Sequence, residues 1–354
     1  MKKYILGLLL MLMTLPMVGM ESSWQTHFAY NSVEVIANCP QEIYALANGA
    51  IFSVNKTTEA MTLYNNKSGL HGTSVCFLMY DEEREQLLIM YSDGKMDIQY
   101  NGTMHYISDL YNKRMTSSKK CNNITIHNKF AYLSMDFGII VFDLEKHEFK
   151  ETYYIGEEAS EVKVTDVMFY GDSIYAQTKN KNYSACIHDN VVDFHFWKVC
   201  TALPRPFDTK KGKEYTMQDG DVWKVAGEKG VFRKFITGEE AYYLPDGPQV
   251  NTPYNMTFDR GRLYVVPGGR WANQNNAAGH IMIYENGEWL NITSKQIQGI
   301  TGKKALDFMN VIVDPEDHEH FFVTSYGTGL YEFKKDVLIN HYTPSNSILG
   351  SAAP

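Results

Sequence analysis

Short apolar runs recur in pairs along this chain, and each pair is joined by a turn containing Gly or Asn. Seven pairs can be written out: IYALANGAIFSV from Ile43, LLIMYSDGKMDIQY from Leu87, AYLSMDFGIIVFD from Ala131, IYAQTKNKNYSACIH from Ile174, VWKVAGEKGVFRKF from Val222, LYVVPGGRWANQNNAAGHIMIY from Leu263 and FFVTSYGTGLYEF from Phe321. Their starts lie 44, 44, 43, 48, 41 and 58 residues apart. A period of about 40 to 45 residues with several short strands per unit is the mark of propeller blades.

The flanks repeat as well, so four strands A to D can be assigned to each unit. An A-like run precedes the pair at Val33, Val75, Asn123, Val164, Tyr254 and Phe308, with a weaker one, EYTMQDG, at Glu214. A D-like run follows and tends to end in an aromatic residue, as at Tyr64, Tyr106, Tyr153, Tyr243 and Tyr342. Asn48-Gly49, Asp93-Gly94, Asn101-Gly102 and Asn286-Gly287 fit hairpin turns, which need positive φ. The expected fold is all-β: a seven-bladed β-propeller of four-stranded antiparallel blades. A lone blade cannot cover its apolar faces, so the units must stack about an axis.

The termini suggest three segments. Lys2 and Lys3, the apolar run Tyr4 to Leu15 and the flexible stretch to Met20 read as a secretory signal peptide over 1–20, too short for a membrane span. The propeller domain is expected over 21–343. Residues 344–354, in the tail TPSNSILGSAAP, read as a linker or the start of a further domain. No other segment is apolar enough to cross a bilayer. The opening WQTHFAYNS from Trp24 could close the ring or pack on a neighbouring domain.

Composition narrows the function. A net charge of −8 argues against a nucleic-acid partner, because phosphate neutralisation needs a basic surface. Cys39, Cys76, Cys121, Cys186 and Cys200 lack C-x-x-C spacing, so they read as small buried hydrophobes rather than a disulfide framework or metal site. Asp317-His318-Glu319-His320 resembles a metal set, but consecutive side chains on extended backbone point to opposite sides. It reads as a solvated A-to-B turn of blade seven. No metal and no cofactor are expected. No G-x-S-x-G, H-E-x-x-H, P-loop or dinucleotide fingerprint occurs. N-x-S/T sequons, among them those at Asn55, Asn101, Asn123, Asn182, Asn255 and Asn291, are what an Asn- and Thr-rich β chain contains by chance.

Charge and loop length are unevenly placed. In propeller topology the B-to-C and D-to-A loops share one face. That face takes Lys113, Arg114, Lys119, Lys120, Lys179, Lys181, Arg205, Lys210, Lys211, Lys213, Arg270, Lys295, Lys303 and Lys304. The other takes Asp81, Glu82, Glu83, Glu85, Glu145, Glu285, Glu316, Asp317 and Glu319. Glu157, Glu158 and Glu161 are acidic exceptions on the basic side, and hairpin tips are charged in any case because they are wet. The three long insertions, 201–213, 268–279 and 294–306, nevertheless all fall on the basic face, and long loops on a rigid scaffold carry binding residues. Arg270, Trp271, Asn273, Gln274 and Asn275, together with Lys210, Lys211, Lys303 and Lys304, are the candidate ligand contacts. Trp271 offers a stacking platform for a sugar ring, and the amides can both donate and accept hydrogen bonds. An inward-packed or partner-facing Trp271 fits the sequence equally well.

The opening WQTHFAYNS, the hairpins YALANGAIFSV and LLIMYSDGKMDIQY and the hairpin SYGTGLYEF together resemble the N-terminal propeller of the PorZ-like family of the type IX secretion system, a pattern shared with two-component regulator propellers. The resemblance implies an exported protein of the periplasm or outer cell surface of a Gram-negative bacterium. It implies a non-catalytic member of an attachment complex, with other secretion-complex proteins as partners and an anionic lipopolysaccharide or glycan as ligand. Family members continue into a second propeller and a β-sandwich. Two alternatives remain open at this point: a glycan-sensing propeller of a hybrid two-component regulator, and a polysaccharide hydrolase or lyase with a channel-centred site. The last would require carboxylates with Arg or His at the starts of the A strands.

Overall fold

The structure is a computed structural model that describes residues 25–269 and 276–350. It contains seven four-stranded antiparallel sheets, each built from four consecutive strands. The A strands are Val33–Asn38, Val75–Asp81, Cys121–His127, Val164–Tyr170, Glu214–Thr216, Asn255–Asp259 and Phe308–Asp314. The seven-bladed, four-stranded expectation is borne out, including the weak fifth A strand. The aromatic ends of the D runs fall where expected at Tyr64, Tyr153, Tyr243 and Tyr342.

Those aromatic ends and the hairpin glycines are two sides of one constraint. A Cβ on Gly138, Gly230 or Gly329, at the start of strand C, would lie 2.3, 2.1 or 2.1 Å from the carbonyl oxygen of Tyr153, Tyr243 or Tyr342 at the end of strand D. All three glycines have positive φ. Only a residue without a side chain admits the D strand this close.

Stacking does not run evenly through all seven blades. Leu46, Phe77, Leu88, Leu133 and Phe142 build one core through blades one to three, and Ile139, Tyr153, Val167 and Trp197 continue it into blade four. Blade one then meets blade five. Ile36, Ile43 and Phe52 share a core with Trp223, Val231 and Tyr243, and Val33 donates its N–H to the Gly227 carbonyl at 3.3 Å. Arg233 of blade five adds a hydrogen bond to the Lys56 carbonyl at 2.9 Å. The first five blades thus close on themselves. Blades six and seven form a separate pair whose core contains Tyr264, Ile283, Phe308, Phe321, Tyr331 and Phe333.

The opening segment joins the two parts. Ala29 and Asn31 bond to Asn251 and Gln249, and His27 sits against Tyr284 and Trp289 of blade six, accepting the indole N–H of Trp289 at 3.1 Å. It therefore packs on a neighbouring unit while lying beside blade one.

Two local expectations change. Asp317 to His320 do not form a turn, because strand B of blade seven extends over Asp317–Ser325. The two histidines nevertheless find different partners: His318 reaches Asp259 of blade six, whereas His320 pairs with Asp314 and Glu332 of its own blade. The 294–306 insertion is not an open loop. Ser294–Thr301 is a helix with a Thr293/Gln296 capping box and a left-handed Gly302 at its end, anchored by the buried Ile297.

Candidate functional site

Four of the five A strands of the ring, those of blades one to four, share an irregularity at their starts. Pairing with strand B shifts by one residue between Val33 and Val35, Val75 and Phe77, Cys121 and Asn123, and Val164 and Asp166. The residues left over are Glu34, Cys76, Asn122 and Thr165. A β-bulge turns its extra side chain out of the alternation. Here four bulges on four neighbouring blades turn their side chains towards one cavity of about 870 Å³, which all four line.

The cavity opens at the A-strand starts, on the face that carries the D-to-A and B-to-C loops. Its apolar wall includes Val33, Val35, Phe77 and Phe207, and its polar wall includes Asn122, Asn123, Thr165, Asp166, Gln177 and Lys211. Lys120, Lys213 and Asp208, all exposed, stand around it as well.

The 201–213 insertion does not stand away from the scaffold. It runs back into the ring, where the Ile36 N–H donates to the Gly212 carbonyl at 2.7 Å. One residue earlier, Lys211 crosses to the far side and donates to Asp166 of blade four at 2.8 Å and to Thr125 of blade three at 2.7 Å. The insertion therefore ties blades one, three, four and five together at the cavity.

The remaining contacts hold the wall in place. Asn122 donates to Asp136 at 3.0 Å and to the Val164 carbonyl at 2.9 Å, joining blades three and four. Burial works against the charge on Asp136. The hydrogen bonds from Lys163, Ser118 and Asn122 outweigh it and hold the carboxyl below its ordinary range. Burial pushes the Cys76 thiol up to about 11 and holds that of Cys121 well above its ordinary value.

The predicted contacts divide among several places. Lys211 lines the cavity. Lys210, the adjacent residue, is exposed and pairs with Glu214 at 2.7 Å. Lys303 and Lys304 are exposed beyond the helix of the two-blade pair and do not line the cavity. Arg270, Trp271, Asn273, Gln274 and Asn275 lie outside the described residues. Sequence reasoning missed Glu34, Cys76, Asn122 and Thr165. The only available signal was a phase change in alternation just after the start of each A run, as in Val33-Glu34-Val35 and Val75-Cys76-Phe77.

Among the described residues the lining contains no His or Arg. Its carboxylates are Glu34, Asp166 and Asp208, and Asp166 is already engaged by Lys211. This arrangement suits recognition by hydrogen bonding and shape.

Comparison with known proteins agrees with the fold. The family model described as the TSS9, PorZ, N-terminal beta-propeller domain matches residues 43–198, which span blades one to four. The solved PorZ of Porphyromonas gingivalis, an essential bacterial surface component of the type-IX secretion system, superposes with a TM-score of 0.76 at 23% identity. That match covers 94% of this chain and 54% of the PorZ chain, so this chain spans about half the length of that protein. Extracellular domains from B. thetaiotaomicron assigned to a one-component and a hybrid two-component system match with TM-scores of 0.38 and 0.37, at 12% and 13% identity. They cover 91% and 93% of this chain and are themselves covered to 42% and 54%. No curated protein matches. Residues 43–198 thus match the PorZ N-terminal propeller model, the chain as a whole has a fold similar to that of PorZ, and no helix among its described residues is long and apolar enough to cross a membrane.

Proposed function

We propose that this chain is an exported, non-catalytic binding and assembly module of a type IX secretion complex. Its ligand is the anionic, hydroxyl-rich glycan of a lipopolysaccharide, taken on the insertion-bearing face and seated at the cavity of the five-blade ring. The observation that carries this reading is the convergence of four bulges on one cavity, on the same face as the long insertions and exposed lysines. Asn122, Asn123, Thr165 and Gln177 supply amide and hydroxyl groups suited to sugar hydroxyls. The exposed Lys120 and Lys213 supply positive charge beside them. The absence of His or Arg from the described lining favours binding over a channel-centred hydrolase or lyase.

The test is binding of the chain from residue 21 onward to anionic lipopolysaccharide and to neutral glycan panels. Glu34→Trp would fill the cavity from an exposed position, and Arg270 and Trp271 together replaced by Ala would probe the loop beyond the described residues. Salt-sensitive binding to the anionic lipid, lost in Glu34→Trp, supports the cavity. Loss only in the double variant moves the site to the loop of blade six. No binding to either ligand class overturns the glycan reading and leaves protein partners.

A further inference from the structure

A second cavity, of about 360 Å³, lies between blades one and two on the face opposite the insertions, among the A-to-B turns of both blades and the C-to-D turn of blade two. Three tyrosines and two carboxylates line it: Tyr44 and Glu42 from strand B of blade one, and Tyr80, Glu85 and Tyr100 from blade two. Neighbours fix several of these groups. The Tyr64 hydroxyl lies within hydrogen-bond reach of the Glu42 carboxylate, at 3.3 Å, and of the Tyr44 hydroxyl, at 3.1 Å. Tyr100 meets the His147 ring edge-on at 5.9 Å. The nearby cations are engaged elsewhere. Arg84, next to Glu85, is turned to blade three, where it lies 3.7 Å from Glu145 and donates to the Asn128 carbonyl at 3.5 Å. Lys56 donates to the Asn38 side chain at 2.6 Å and to the Pro40 carbonyl at 3.3 Å. Neither lines the cavity, whose wall includes no Lys, Arg or His. Among the described residues, Glu42 and Glu85 have no ion-pair partner.

We infer that this cleft between blades one and two docks an arginine side chain from an exposed segment of a partner protein. A guanidinium stacks on an aromatic face and meets a carboxylate through two N–H groups at once, which is the chemistry that tyrosines beside unpaired carboxylates complement. Lysine, a compact point charge, uses less of it. The exposed Glu82 and Glu83 in the same turn as Glu85 carry the negative charge beyond the reach of one side chain, which favours a protein segment over a small cation. Tyrosine is also the residue type on which binding energy at protein interfaces concentrates. The site is on the other face from the glycan cavity and does not rest on the glycan reading. A chain with both sites joins a glycan on one face to a protein on the other.

The test titrates a short peptide, acetyl-Gly-Arg-Gly-Arg-Gly amide, against the chain from residue 21 onward and follows it by saturation-transfer NMR. The same peptide with citrulline, which keeps the shape of the arginine side chain without its charge, is the comparison. The arginine peptide should bind and the citrulline peptide should not. Replacing both cleft carboxylates, Glu42→Gln with Glu85→Gln, should weaken binding about tenfold or more, as the loss of charged hydrogen-bond acceptors implies. Tyr100→Leu should weaken it through lost stacking. Glu82→Gln with Glu83→Gln removes as much charge from the same face outside the cleft and should leave binding unchanged, as should Glu34→Trp in the glycan cavity. Equal binding of the two peptides, binding of neither, or equal losses in the two double variants overturns the docking site. Peptide binding beside a failure to bind lipopolysaccharide removes the glycan reading and leaves this site standing.

Discussion

The five-blade ring and the two-blade pair are made of the same unit and differ in what covers their faces. In the ring, the first A strand is packed on both sides, with Val35, Ile36 and Ala37 all buried. In the pair, the two blades cover only the faces they share. Met256 and Phe258 on the A strand of blade six are 61% and 70% exposed, and Ile312 on that of blade seven is 53% exposed. The A strand of blade seven even carries the same bulge, between Phe308 and Asn310, which leaves Met309 over. The ring's bulges converge because neighbouring blades bring their starts to one axis, whereas Met309 has no such partners in the pair. A cavity at the A-strand starts thus depends on closure, not on any single blade.

Separate cores predict separate unfolding. Trp223 is fully buried where blade five meets blade one, with Tyr243 stacked at 5.5 Å, and Phe321 is fully buried in the pair, stacked on Phe333 at 5.0 Å. Replacing either by Ala should cost about 3 to 5 kcal/mol, from lost burial and the cavity left behind. Hydrogen exchange followed by mass spectrometry should show Trp223→Ala deprotecting blades one and five while blades six and seven keep their protection, and Phe321→Ala doing the reverse. Equal loss in both parts after either substitution would mean that the ring and the pair are one cooperative unit.

The seam between blades one and five should be next in sensitivity. Arg233 pairs with the buried Asp221 at 2.6 Å, lies over the Trp223 ring at 4.8 Å and reaches the Lys56 carbonyl of blade one. Arg233→Ala would strand a buried carboxylate and cost about 3 kcal/mol. Acid should act on the same group. Burial opposes its charge, yet the Ile236 N–H and Arg233 hold the Asp221 pKa below its ordinary value. A depressed carboxyl contributes stability that is complete above its unfolded pKa and lost as pH falls through the folded one. Denaturant midpoints should therefore fall below about pH 4 in the parent chain and be flatter with pH in Arg233→Ala. Parallel pH curves would remove Asp221 from the seam.

Much of this was legible in the sequence, and what was not has a physical cause. The period and the Gly-to-aromatic spacing report contacts inside one blade, such as Gly138 against Tyr153, so they are written in neighbouring residues. Which blades meet is not. VEVIAN and FMNVIVD look alike although one lies in the ring and the other outside it, because the apolar alternation of a strand says that a face is to be covered and not by what. Lys211 read as one more wet cation in a charged loop. Its role comes from crossing to Asp166, 45 residues earlier, which charge patterning cannot reveal. The bulges were hidden for a related reason: a one-residue phase change at a strand start resembles an ordinary strand boundary.

The joint between ring and pair should respond to pH more weakly than either core responds to substitution. Burial lowers the His27 pKa, against the raising pull of Asp246. The folded chain thus favours neutral His27, which accepts the Trp289 N–H; protonation at Nδ1 removes that acceptor. For a histidine whose folded pKa is depressed, the stabilising contribution is complete above the unfolded value of 6.5 and lost as pH falls below it. Protection of residues 25–31 should decline between about pH 6.5 and 5 while both cores stay protected, and His27→Phe should abolish that step. A step that survives His27→Phe would place the titrating group elsewhere.

The smallest effect sharpens the contrast most. Phe258 and Phe321 are the same residue type on adjoining blades, one 70% exposed and the other fully buried. Phe321→Ala removes a packed ring from a core, whereas Phe258→Ala removes one that water already reaches. The second should change stability by less than about 0.5 kcal/mol, the range of ordinary surface substitutions. Measured on the same chain by denaturant unfolding at low concentration, a cost of several kcal/mol at Phe258 would mean that this face is covered in solution. The pair would then not be the open-faced unit described, and its contrast with the closed ring would fall with it.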